Sequence, residues 1–97
     1  MKETVFYIVI SIKTASGFEK ISQFFIGDDK ESVTDLFSTL KGDEDFDDAN
    51  ILLLELMEKK GTLPVNMRLI RCSLEELGDN CKLIIKHIFT HYNLKKP

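Results

Sequence analysis

The sequence falls into two similar halves, and this pattern limits the folds that the chain can adopt. Each half has two apolar segments separated by a turn that contains a glycine. A stretch with apolar residues at helical spacing follows them. The strand-like segments are residues 4–13, 18–26, 51–59 and 63–72, and the helical stretches begin near residues 30 and 74. This order predicts an α+β fold, ββα-ββα, with a four-stranded, mostly antiparallel sheet and both helices on one face.

Short signals mark the ends of the helices. Asp28 and Glu31 fit a cap and capping box before the first helix, and Gly42 fits its end. Ser73 and Glu76 form the S-x-x-E box that starts the second. Gly78 lies inside that helix and costs about 1 kcal/mol relative to alanine, so a break or a late start there remains open.

The halves can be superimposed at an offset of 44 residues, which aligns Gly17 with Gly61 and Val33 with Leu77. We interpret residues 1–97 as a single domain with half-repeats 4–42 and 50–94 and an acidic linker, 43–48. Duplication and a chance likeness of two hairpins both remain possible origins of the pattern.

A turn of the X-Gly type in each hairpin sets a predicted strand register. With turns at Ser16-Gly17 and Lys60-Gly61, Ile8 would face Phe25 and Leu54 would face Met67. One side of the sheet would then be apolar and covered by the helices. The other side would carry both polar and large apolar residues, which is unusual for an uncovered face.

An uncovered apolar face of this kind indicates a contact surface. We therefore expect a homodimer that associates through this sheet face. The expected interface residues are Tyr7, Val9, Phe24, Ile26, Ile51, Leu53 and Ile70. Two alternatives stay open, since a helix could cross to this face or the register could slip by one residue.

Arg68 and Glu55 are expected to be neighbours on that same face. They would form a charge pair at the rim of the interface. The alternative is a ligand site in which both residues anchor a small molecule in a half-apolar groove.

Net charge and cysteine usage set further expectations. The chain has a net charge of −3, which argues against a broad nucleic-acid footprint. The basic last helix keeps that function open as a third alternative, through Lys82, Lys86, Lys95 and Lys96. The two cysteines, Cys72 and Cys81, are expected to be reduced and buried, with a redox-linked pair as the alternative.

The N-terminal apolar run is too short to cross a membrane and lacks the pattern of a signal peptide. We expect a cytoplasmic protein without membrane association. No sequence pattern typical of a nucleophilic, nucleotide-binding or zinc site is present, so an enzyme is the less favoured interpretation and no catalytic residue or cofactor is predicted.

Two patterns in the sequence resemble metal sites but lack essential ligands. Asp43, Asp45 and Asp47 have the first spacings of a calcium loop, but Asp48 replaces its glycine and Leu54 its bidentate glutamate. His87 and His91 share a helix face, yet no further ligands accompany them. The sequence therefore predicts a small homodimeric interaction or regulatory module that could also bind an unidentified protein partner. A ligand-binding domain or enzyme is the alternative.

Overall fold

The computed structural model describes residues 4–44 and 50–93, which form four strands and two helices. The elements are β1 (Thr4–Thr14), β2 (Gly17–Gly27), α1 (Lys30–Thr39), β3 (Leu52–Lys60), β4 (Leu63–Cys72) and α2 (Leu74–Asn93). The predicted α+β class is confirmed. The strand order left open by the sequence is β2-β1-β3-β4, with every neighbouring pair antiparallel.

The two central strands supply the middle of the core. β1 pairs with β3 from Thr4 opposite Lys60 to Ile12 opposite Leu52. Alternate residues of these strands point to the same side, and this side is buried. Its central members are Phe6, Ile8 and Ile10 of β1 and Leu52, Leu54 and Leu56 of β3.

Both helices pack on this buried side of the sheet. α1 contributes Val33, Leu36 and Phe37 to the same core cluster, and α2 contributes Ile84. Since α1 and α2 share one face, the opposite side of the sheet, here called the open face, receives no core residue from either described helix.

The hairpin turns differ from the predicted ones. Thr14 pairs with Gly17 and Lys60 pairs with Leu63, so the turns are Ala15-Ser16 and Gly61-Thr62. Bulges then shift the pairing again: β2 carries extra residues at Ile21 and Ile26, and β4 carries one at Met67. The predicted register is therefore wrong for both outer strands.

This change of register moves side chains to the other face of the sheet. Ile8 pairs with Phe24 and Leu54 pairs with Ile70, which turns both outer-strand residues toward the helices. Ile26 and Ile70 belong to the core, and Phe24 packs against it. The prediction that these three residues lie on the free face is wrong: the register differs by one residue at Phe24 and by three at Ile70, and Ile26 is the extra residue of a bulge.

The two halves align differently in their strands and helices. The closing pairs of the hairpins, Thr14–Gly17 and Lys60–Leu63, are 46 residues apart, whereas the residues preceding the helices, Asp29 and Ser73, are 44 apart. The single offset of 44 thus describes the helices but not the hairpins.

The helix ends are partly as predicted. Ser73 N–H donates to Glu76 Oε1 at 2.9 Å and Glu76 N–H donates to Ser73 Oγ at 3.2 Å, which confirms the capping box. The α1 cap is Asp29, which accepts from Ser32 N–H, and not Asp28. α2 continues through Gly78 without a break.

The segment after α1 is held between α2 and the outer edge of β4. Asn80 accepts from Lys41 N–H at 2.7 Å and donates to Lys41 C=O at 2.8 Å. Two residues later, Asp43 and Arg71 exchange backbone hydrogen bonds of 2.8 and 2.7 Å. Part of the β4 edge is thereby paired.

Candidate interaction surface

The largest solvent-exposed set of apolar side chains on one element lies on α2. Leu74, Ile85, Phe89 and Tyr92 are each more than half exposed. Together with Gly78 and Cys81 they recur at intervals of three or four residues, so they form one row along the helix. We call this row the outer stripe.

A second row of α2 accounts for its packing on the sheet. This row also follows intervals of three and four residues, and its members are buried or half-buried: Leu77, Asn80, Ile84, His87 and His91. This inner row faces the body of the protein, and the outer stripe lies beside it. The apolar surface of α2 is therefore wider than the part that the sheet covers.

Contacts with the end of β2 fix the position of α2. His87 Nε2 lies 3.1 Å from the carbonyl oxygen of Ile26. The His91 ring lies 3.6 Å from the place where a Cβ on Gly27 would be. These contacts set the C-terminal half of α2 against an outer strand, so the outer stripe lies toward the margin of the molecule.

A small cavity joins the stripe to the end of the sheet. It measures about 260 Å³ and is lined by Val5, Phe25, Gly27, Asp28, His91 and Tyr92. Phe25 is more than half exposed and its ring lies 5.7 Å from that of Tyr7. Two exposed aromatic rings, Phe25 and Tyr92, therefore contribute to the same concave surface.

A charged row runs along the other side of the outer stripe. Glu75, Asp79, Lys82 and Lys86 again follow intervals of three and four residues, and all four are exposed. Asp79 forms an ion pair with Lys41 at 2.9 Å, which raises the pKa of Lys41 and lowers the pKa of Asp79. The row is acidic in its first half and basic in its second.

The open face of the sheet is less exposed to solvent than predicted. Tyr7 and Ser11 on this face are buried, and Val9 and Leu53 are half-buried. The Arg71 guanidinium lies 5.9 Å from the ring of Phe18, although these residues belong to opposite outer strands. The Arg71 side chain therefore reaches across the sheet near Ser11.

The predicted interface residues thus separate into two groups. Tyr7, Val9 and Leu53 share the open face, and Ile51, just before β3, is 38% exposed. The second group, Phe24, Ile26 and Ile70, lies on the helix-covered side. The seven residues do not form one surface.

Arg68 and Glu55 lie on opposite faces of the sheet, because Arg68 pairs with the core residue Leu56. The Arg68 guanidinium donates to Ser38 Oγ at 3.0 Å and lies 5.3 Å from the Phe37 ring. Glu55 accepts from Asn66 Nδ2 at 2.8 Å. The structure therefore does not bring these two residues together.

The cysteines and histidines occupy packed positions. Cys72 is fully buried and Cys81 half-buried, both as free thiols, and burial raises the pKa of Cys72 to about 11. A groove between the helices places Asp29, Glu31 and Asp35 of the α1 side near His87. Within residues 4–44 and 50–93, no three metal-ligating side chains are placed to hold an ion. Asp45, Asp47 and Asp48 of the rejected calcium pattern lie outside the described residues.

The sequence does not separate the outer stripe from the core side of α2, because the apolar residues of this helix all fit one broad row at helical spacing. That row has eight members: Leu74, Leu77, Cys81, Ile84, Ile85, Ile88, Phe89 and Tyr92. Such a row spans more of the helix circumference than one packed side requires. The excess width was the signal that part of it would stay exposed.

Comparisons of the chain with protein-family models, characterised proteins and solved structures found no match. Neither helix in the described part of the chain is long and apolar enough to span a membrane.

Proposed function

We propose that this protein is a homodimeric interaction module whose subunits associate through the outer stripe of α2. The observation that carries the proposal is the row of four apolar side chains, Leu74, Ile85, Phe89 and Tyr92, each more than half exposed on one helix. Contiguous exposed apolar surface of this kind marks contact sites. The homodimer predicted from the sequence is thus retained, with a different contact surface.

The sheet edges favour a contact through side chains rather than through added strands. β2 contains two bulges, and β4 contains one bulge, Pro64 and the backbone bridge from Asp43. Bulges, proline and covered edges all hinder the pairing of one sheet edge with another. Burying a large apolar side chain contributes about 1.5–3 kcal/mol, so a helix row that carries four of them is the stronger driving force.

Charge substitutions with matched controls test the proposal. Phe89→Asp should weaken the dimer by about a hundredfold or more, because it removes a large apolar contact and places a carboxylate in the interface. Leu63→Asp is the matched control, since Leu63 is 66% exposed and lies on β4, the edge strand opposite the β2 strand that α2 contacts. Light scattering after size-exclusion chromatography gives the mass, and circular dichroism checks the fold.

A third variant separates the two candidate surfaces. Leu53→Asp alters the open face and leaves the outer stripe unchanged. We expect a dimer for Leu53→Asp and Leu63→Asp and a folded monomer for Phe89→Asp. Dissociation by Leu53→Asp, with Phe89→Asp still dimeric, would assign the contact to the open face instead.

Ligand binding at the cavity between β2 and α2 is the second candidate. Phe25 and Tyr92 offer aromatic surface there, and Asp28 and His91 offer polar groups. Its volume of about 260 Å³ lies below the usual range of small-molecule sites, about 300–1,000 Å³, so we rank it second. Fragments that raise the melting temperature of the wild type but not of Tyr92→Ala would support this function.

A further inference from the structure

We propose that the charged row of α2 selects an antiparallel second copy as the partner of the outer stripe. This inference rests on the proposed function, because it concerns how the two stripes are arranged. The evidence is the order of charge along one exposed row, with Glu75 and Asp79 followed by Lys82 and Lys86. Reversing one helix against the other brings the acidic half of each row toward the basic half of its partner.

The position of the inner row favours this orientation. The charged row and the inner row are the two flanks of the outer stripe. In an antiparallel pair related by a twofold axis, each flank lies against the same flank of the partner helix, whereas in a parallel pair it lies against the other flank. The inner row of α2 is packed on its own sheet through contacts such as His87 with Ile26. The charged row is the flank that remains exposed, and only the antiparallel arrangement brings two such rows together.

The spacing of the outer stripe sets the centre of the pair. Leu74 and Tyr92 each lie nine residues from Leu83, and Cys81 and Ile85 each lie two residues from it. A twofold axis level with Leu83 therefore places Leu74 opposite Tyr92 of the second copy and Cys81 opposite Ile85 of the second copy. The row is self-complementary about this point.

The same axis defines one attractive and one repulsive pair of charges. Asp79 lies four residues before Leu83 and Lys86 three residues after it. Along the helix direction, Asp79 of one copy and Lys86 of the other are therefore offset by about 1.5 Å, the rise of one helical residue, so they can pair between copies. Lys82 lies one residue before the axis, about 3 Å in height from its own symmetry mate, so these two cations repel each other.

A charge exchange tests the arrangement. We would measure the dimer dissociation constant of the full chain by sedimentation velocity at low salt. Lys86→Glu should weaken the dimer by about tenfold, because two ion pairs become two repulsive carboxylate pairs. Adding Asp79→Lys to Lys86→Glu should restore most of the affinity, and Lys82→Ala should strengthen the dimer several-fold.

Two controls make the outcomes distinct. Asp79→Lys also breaks the ion pair with Lys41, so Asp79→Asn reports that loss without adding charge. Raising the salt concentration should reduce all of these differences. A wild-type dimer whose affinity is unchanged in Lys86→Glu, or not restored in the double variant, would overturn the antiparallel arrangement alone. A monomeric wild type would overturn the proposed function as well.

Discussion

Asn80 is a polar side chain with no solvent exposure, placed among the apolar residues under α2. Its side-chain oxygen accepts a hydrogen bond from the N–H of Lys41, and its side-chain nitrogen donates one to the C=O of Lys41. A buried polar side chain is favourable only when its hydrogen bonds are made, and here both bonds link α2 to the segment after α1. A single residue therefore joins two elements that lie 39 positions apart.

We expect Asn80→Ala to destabilise the protein by about 2–4 kcal/mol. The substitution leaves the N–H and C=O of Lys41 without their partner and opens a small cavity beside the core. Urea unfolding followed by circular dichroism measures the change. Asp79→Asn, one residue away and exposed, should have a much smaller effect, and equal losses in the two variants would contradict this role of Asn80.

The raised pKa of Cys72 predicts a loss of stability at alkaline pH. Burial raises its pKa from the ordinary value of 9.0 to about 11, so the folded protein keeps the thiol while the unfolded chain ionises it. The free energy of unfolding therefore keeps its full value below about pH 9 and falls as the pH rises toward 11, by up to about 2–3 kcal/mol. Urea unfolding under reducing conditions should show this slope, and Cys72→Ala should reduce it. An identical slope in both proteins would exclude Cys72 as its source.

At the scale of the elements, Gly42 allows the segment after α1 to approach β4. Its φ of +154° is one that residues with a side chain rarely adopt, and a Cβ there would lie 2.7 Å from the carbonyl oxygen of Arg71. The close approach permits the backbone bridge between Asp43 and Arg71. Gly42, which was predicted to end α1, thus allows the following segment to pair with the edge strand β4.

Two glycine substitutions should therefore act in opposite directions. Gly42→Ala should destabilise the protein by about 1–3 kcal/mol, because the new methyl group collides with the backbone of β4. Gly78→Ala should stabilise it by about 0.5–1 kcal/mol, since Gly78 lies in a helix with open space around it. Thermal unfolding of both variants measures the difference, and a gain in Gly42→Ala would contradict the close contact.

The strands show which part of the fold could be predicted from the sequence. Alternation in β1 and β3 correctly predicted one buried side that contains Ile8, Leu54 and Leu56. The outer strands were misplaced because a turn glycine does not show its position within the turn: Gly17 follows its turn and Gly61 begins its own. The bulges at Ile21 and Met67 then changed the faces of their strands, and nothing in the local pattern marks a bulge.

The helices show the same limit. The capping box at Ser73 was predictable because its two residues act on neighbouring backbone groups. The division of α2 into an inner row and an outer stripe was not, because it depends on where the helix crosses β2. The candidate surface is therefore a consequence of packing, although each of its residues was already recognisable as apolar.

At the scale of the whole molecule, the fold covers only one side of α2. The sheet, α1 and α2 share one core on one face, while the outer stripe lies beside the end of β2. Both sheet edges are interrupted, and Arg71 and Phe18 meet across the open face. Among the described residues, the outer stripe is the apolar surface best placed for a second copy.

The solution mass of the wild type, measured by light scattering over a range of protein concentrations, tests association through the outer stripe most directly. One chain has a mass of 11.1 kDa. A homodimer that associates through the outer stripe has twice this mass at high concentration and dissociates to one chain on dilution, with Phe89→Asp remaining a folded single chain throughout. A wild type that keeps the mass of one chain at every concentration would contradict it.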